Sequence, residues 1–165
     1  MNQQPMNLVS YKRAISEHTI IYNRFNNCNL NIDVKQNNNT INREFTISFD
    51  YDNSKFRYVF DDKYPFHPPV LFINDRDYIK LLSINNSTII DLIQKKSNKQ
   101  CLCCDSLLCN FKWSPAIKVD KIIDEYILNK KIIIYCINKK NLLELNTELN
   151  DLFPYEIIEQ IASYF

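Results

Sequence analysis

Apolar and polar positions change rhythm several times along this chain. Over residues 6–25, Leu8, Tyr11, Ile15, Thr19, Tyr22 and Phe25 recur near helical spacing, with polar residues between them, which predicts an amphipathic first helix. The period then shortens to two. Leu30, Ile32 and Val34 alternate with polar neighbours, as do Phe45, Ile47 and Phe49, and then Phe56, Tyr58 and Phe60. Three alternating runs separated by turn residues at 37–40 and 50–54 predict an antiparallel meander. The segment YPFHPP at 64–69 cannot continue a central strand, because proline lacks the ladder donor and fixes φ. Residues 70–74 read as a fourth strand. Residues 77–84 and 87–96 read as two short helical pieces, with Ser87 or Thr88 as a cap for the second. A cysteine-rich stretch at 101–115 follows, and Pro115 stands where a helix can begin. Ile117, Ile122, Ile123, Tyr126 and Ile127 continue at helical spacing. Residues 130–146 read as more helix, although the β-branched run at 132–137 also suits a strand. A separate small helix closes the chain at 154–165.

Composition narrows the picture. A chain of 165 residues suits one domain with a substantial core. With 20 Lys and Arg against 19 Asp and Glu, no field of one sign favours nucleic acid or an anionic membrane. Asn, Ile and Lys are abundant and glycine is absent, a bias that resembles an AT-rich genome such as that of a large DNA virus or a protist. Without glycine, turns that need positive φ must use Asn or Asp, the next most tolerant residues. MNQQPMN is polar, unlike a secretory leader, and the apolar run at 132–137 is far too short to cross a bilayer. Four of the six cysteines, Cys101, Cys103, Cys104 and Cys109, are bunched, where they cannot easily staple distant segments. Reduced thiols in a cytoplasmic protein (host cytoplasm, if the source is viral) are the expectation. No repeat or long linker is present, so one domain over 1–146 and a C-terminal helix over 147–165 are expected.

Two motifs carry a family resemblance. Phe56 and Phe60 precede Tyr64-Pro65-Phe66-x-Pro68-Pro69, and Trp113-Ser114-Pro115-Ala116 follows a cysteine and leads into an apolar helix. In this order, after a helix and three strands, they resemble the ubiquitin-conjugating enzymes over roughly residues 6–135. The resemblance implies an α+β, UBC-like fold, a four-stranded antiparallel meander packed on helices. It implies a cysteine that takes ubiquitin or a relative from an activating enzyme as a thioester and passes it to a lysine or a ligase. That thiol must be partly ionised and reachable by another protein, and a donor must stabilise the oxyanion as the amine attacks. The family supplies the donor as Asn in a His-Pro-Asn motif, which this chain lacks. Asn98 lies three residues before Cys101, and Asn85 and Asn86 are farther away. From Pro69 to Cys104 there are 35 positions, where the family uses about twenty; the surplus is residues 77–96. The family cysteine usually stands roughly eight residues before the tryptophan, which is Asp105 here. By register Cys104 is the first candidate nucleophile. Cys101, whose Cys-Leu pair matches the family's, is the second.

Other readings of the same residues stay open. Cys101, Cys103, Cys104 and Cys109 could together hold zinc as four thiolates, although C-x-C-C-x4-C is not a usual knuckle spacing. They could equally pack as small hydrophobes; otherwise no cofactor is expected. Cys28 and Cys136 sit in apolar patterns and are expected in the core. Asp105 and Ser106 could orient an incoming lysine or serve as turn residues. Phe66 suits a ligase contact, His67 an exposed turn, His18 a solvated helix face and Trp113 a packing anchor. Residues 152–165, LFPYEIIEQIASYF, resemble the opening helix of an F-box, about a third of that motif. They equally suit a helix capping the domain. The F-box-like reading implies a cullin-ligase adaptor as partner, and a third possible role as an adaptor that uses the domain to recognise targets. A catalytically inactive UBC-like variant that binds ubiquitin or a ligase is the remaining alternative.

Overall fold

Turn chemistry and alternation carry over into the computed structural model, which describes residues 8–37, 40–149 and 152–164, apart from the side chains at 8, 30, 32–37 and 40–43. The inward alternation of Leu30, Ile32 and Val34 and the turn centred on Asn38 and Asn39 lie outside the described residues and side chains, as do Met6 and Phe165. The elements run α1 Leu8–Phe25, β1 Cys28–Asn37, β2 Thr40–Tyr51, β3 Ser54–Phe60, β4 Val70–Ile73, β5 Arg76–Asp77, α2 Tyr78–Leu82, α3 Ser87–Ser97, α4 Leu102–Asp105, α5 Val119–Glu148 and α6 Tyr155–Ser163. The strands form one antiparallel meander in sequential order, β1 to β5. The class is α+β.

Asn and Asp do replace glycine at the tight corners. Asp52 and Asn53 join β2 to β3 with φ of 49° and 55°, and Asn74 and Asp75 join β4 to β5 with φ of 49° and 61°. Two successive residues at positive φ match the twist of a hairpin. The second corner corrects the expected strand count, since the sheet has five strands rather than four. β5 pairs Asp77 with Phe72 and Arg76 with Ile73. Two polar residues carry no alternation, so the hydrophobic pattern could not reveal this strand.

One face of the sheet is covered. Phe45, Ile47 and Phe49 of β2 and Phe56, Tyr58 and Phe60 of β3 are buried. Their register sets Phe49 opposite Phe56 and Ile47 opposite Tyr58, and the first pair stacks at 5.0 Å. The first helix uses a different stripe from the expected one. Ser10, Ala14, Glu17 and Ile21 face inward and are buried, whereas Ile15 and Tyr22 are exposed. The cause is a polar node. Glu17 accepts from Tyr64 Oη at 3.1 Å and from the Val119 amide at 3.1 Å. Arg13 Nε lies 2.6 Å from its carboxylate, although the N–H is too bent for a hydrogen bond. Burying a carboxylate is tolerable only with such partners.

The start of the last long helix is also corrected. Residues 114–117 form a turn, with Ile117 N–H donating to Ser114 O, and α5 begins at Val119 rather than Pro115. The 132–137 run is helical, inside α5. Asn86, rather than Ser87 or Thr88, caps α3 by accepting from Ile89 N–H. α6 packs on α5, burying Ile158 and Ala162. No helix among the described residues is long and apolar enough to cross a membrane.

Candidate functional site

The cysteine stretch is pinned at both ends. Leu102 and Leu108 are buried, so the segment between them cannot lift off the core without exposing both. Behind it, Glu125 of α5 accepts from Ser106 Oγ and from Leu107 N–H, each at 2.6 Å, and from Tyr78 Oη at 3.2 Å. Asn129, one turn on, donates to Tyr78 Oη at 3.0 Å and accepts from Lys99 Nζ at 3.3 Å. Ahead, Trp113 donates its indole N–H to Pro65 O at 2.8 Å and packs against Tyr64. The tryptophan is a packing anchor that ties the end of the cysteine stretch to the proline turn.

This frame presents three sulfurs together. Cys101 is extended at the entry to α4, Cys103 and Cys104 lie within it, and the three Sγ atoms lie within 4.8 Å of one another. Cys101 and Cys103 Sγ are 2.8 Å apart, and Cys103 and Cys104 Sγ 3.9 Å. Cys109 stands outside this group, so three rather than all four of the bunched cysteines converge. Cys101 and Cys103 are half-buried and Cys104 is exposed. A hydrogen bond from the Cys103 thiol holds the Cys101 thiol below its ordinary range, burial opposing and the Cys104 and Cys103 backbone amides assisting. Cys104 is pushed up to about 12, by its hydrogen bonds to Cys101 and then Cys103, which keep its proton on sulfur. Cys28 and Cys136 are buried, as expected, and burial raises both thiols.

Beside the cluster lies a cleft of about 250 Å³ whose walls include Leu82 of α2, Asn85, Ile90 and Ile93 of α3, and Cys101 and Cys103. The helical segment between the proline turn and the cysteine stretch therefore builds one wall of the groove on which Cys101 and Cys103 open. Of the three candidate amides, Asn86 is engaged as the α3 cap and Asn98 occupies the left-handed C-cap at φ 61°. Asn85 lines the cleft.

The remaining sequence candidates divide. Ser106 is buried and committed to Glu125, which makes it structural. Asp105 faces Lys112 at 3.6 Å. His67 is exposed and Phe66 is 69 % exposed. His18 is only half-exposed, with Nε2 3.4 Å from Cys28 O. Sequence reasoning missed Glu17 and Glu125. Glu125 left a signal, a carboxylate between Ile122 and Tyr126 on the apolar side of its helix, where a charge needs buried partners. Glu17 left none, because it lies off the apolar stripe that the sequence predicts. Compared with family models, curated proteins and solved structures, the chain matches none.

Proposed function

We propose that this protein is a divergent UBC-like conjugating enzyme, which carries ubiquitin or a relative as a thioester on Cys101, with Cys104 as the second candidate. The observation that supports it is the placement of a half-buried thiol, lowered in pKa, on an apolar cleft walled by α2, α3 and the start of α4, ahead of an anchored tryptophan. On this proposal the modifier's extended C-terminal tail lies in this groove. The Cys101 thiolate attacks the activating enzyme's thioester carbonyl, and the activating enzyme's thiolate leaves. In the second step a substrate amine attacks, Cys101 leaves as thiolate, and the amine's proton passes to solvent. Asn85, free of the capping role that engages Asn86, is the amide available to the oxyanion.

Incubation with activating enzyme, ATP and ubiquitin tests the proposal. A thiol-sensitive adduct lost in Cys101→Ala and kept in Cys104→Ala is expected. An adduct that never forms while ubiquitin still binds favours the inactive variant, which the missing His-Pro-Asn motif also favours. The adaptor reading draws on α6, whose Ile157, Ile161 and Tyr164 are exposed while Ile158 and Ala162 cap the core. Capture of a cullin-ligase adaptor that is lost with Ile157→Asp/Ile161→Asp would support it.

A further inference from the structure

A thioester uses one sulfur, yet one turn of chain gathers three. The convergence is local. Cys101 is extended (φ −150°, ψ 123°) immediately before α4, and Cys104, three residues on, comes round to the same side. Cys103 lies between them in the resulting triangle. Zn–S bonds of about 2.3 Å in a tetrahedron set neighbouring sulfurs about 3.8 Å apart. The Cys103–Cys104 separation of 3.9 Å already has that length. The Cys101–Cys103 pair, at 2.8 Å, reaches it by a side-chain swing of about 1 Å, within a single rotamer well.

We propose that Cys101, Cys103 and Cys104 form a three-thiolate site for a thiophilic d10 metal ion. Soft sulfur ligands select Zn2+ and Cu+. Cu+ is satisfied by three sulfurs, and Zn2+ takes a water as its fourth ligand. Binding releases the thiol protons: Zn2+ with three thiols gives a tris-thiolate complex and three protons. Cys109 is not a ligand. It lies outside the cluster, and its carbonyl accepts from the Lys112 and Trp113 amides at 2.8 and 2.9 Å, which turns the chain back toward the core. Exposed Cys104 gives the ion its way in. The site stands whether or not the chain carries a modifier. If it does, and only on that reading, metal on Cys101 opposes the thioester, because coordination draws electron density from the sulfur that must attack.

The test is titration of reduced, metal-stripped, full-length protein with Co2+ as a spectroscopic substitute for Zn2+, with competition by Zn2+, and separately with Cu+ against a chromophoric chelator. One ion per chain is expected, with a sulfur-to-cobalt charge-transfer band and tetrahedral d–d bands in the cobalt arm. Whichever of Zn2+ and Cu+ binds more tightly names the ion. Cys101→Ser, Cys103→Ser and Cys104→Ser should each weaken binding roughly tenfold or more, and Cys109→Ser should leave it unchanged. Circular dichroism checks that each variant folds, and Cys104→Ser, at an exposed position, keeps the test decisive if the others do not. No cobalt charge-transfer band together with no withdrawal of Cu+ from the chelator, full affinity in folded Cys104→Ser, or a loss in Cys109→Ser equal to the others would overturn the site. The adduct assay reads the conjugation proposal separately, so either can fail alone.

Discussion

Removing the Glu125 carboxylate is expected to loosen the cysteine stretch before it unfolds the domain. Glu125→Ala deletes the acceptor of three hydrogen bonds, two of them at 2.6 Å. A hydrogen bond to a charged group contributes about 1.5–3 kcal/mol net. Glu125 is only half-buried, so solvent screening places its bonds at the lower end of that range. Ser106 Oγ still accepts from Leu108 N–H and can turn its proton elsewhere. The Leu107 amide has no such freedom, and an orphaned donor costs about 1–3 kcal/mol. Tyr78 Oη keeps Asn129 as a partner. The two 2.6 Å bonds, at about 1.5 kcal/mol each, therefore set the loss at about 3 kcal/mol, a large fraction of the roughly 5–15 kcal/mol of a typical domain. With a urea slope of about 2 kcal/mol/M, the midpoint falls by about 1.5 M. Urea unfolding followed by Trp113 fluorescence measures this, and hydrogen exchange at Leu107 reports the local part. Glu125→Gln, which keeps the shape and most acceptor capacity, should lose about 1 kcal/mol. In a double-mutant cycle with Ser106→Ala, a coupling of about 1 kcal/mol is expected. An unchanged midpoint together with unchanged exchange at Leu107 would refute the clamp.

Three further outcomes follow from the same contacts. Glu17→Ala leaves the Arg13 guanidinium, the Tyr64 hydroxyl and the Val119 amide without their shared carboxylate and should cost about 3–5 kcal/mol in urea unfolding. Docking of α6 should depend on pH through Glu159, which accepts from Lys139 Nζ and Tyr135 Oη with Lys96 over the Tyr135 ring. The Lys139 hydrogen bond, then that of Tyr135, lowers the Glu159 carboxyl, so its contribution is complete above the unfolded value of about 4.3 and is lost as pH falls through the lower folded one. Burial works against the Lys139 charge, but its hydrogen bonds to Glu159, Tyr155 and Tyr135 outweigh it and raise its pKa. That contribution is complete below about 10.4 and is lost as pH rises beyond it. Limited proteolysis across the pH range should therefore cut around α6 faster at both extremes than at neutrality, and a flat profile would contradict the pairing. Asn85→Ala should leave adduct formation intact and slow transfer to lysine by about 100-fold; equal loss in both steps would assign Asn85 to cleft structure.

Where side chains alternate in and out, the sequence was legible. Phe45, Ile47 and Phe49 and Phe56, Tyr58 and Phe60 announced their strands, and a chain without glycine announced the corner at Asp52 and Asn53, though not the one at Asn74 and Asp75. The position of the cysteine stretch and the anchoring role of Trp113 were also legible, because an indole N–H beside prolines needs an acceptor. The buried stripe of α1 was not. Its inward residues are Ser10, Ala14, Glu17 and Ile21, and a hydrophobic count discards two of the four. β5 escaped notice because a two-residue strand has no period. The grouping of Cys101, Cys103 and Cys104 without Cys109 depends on where α4 starts and stops, which Ser106 and Glu125 decide from 19 residues apart.

The most direct measurement is the order in which the cysteines react. Brief alkylation of the native, reduced, metal-free protein, followed by peptide mass spectrometry, ranks all six thiols in one experiment. Cys101 should be labelled first at neutral pH, Cys104 more slowly despite its exposure, and Cys28 and Cys136 only after unfolding. Labelling of Cys104 or Cys109 ahead of Cys101 would contradict the arrangement from which the cleft, the nucleophile and the thioester were all inferred.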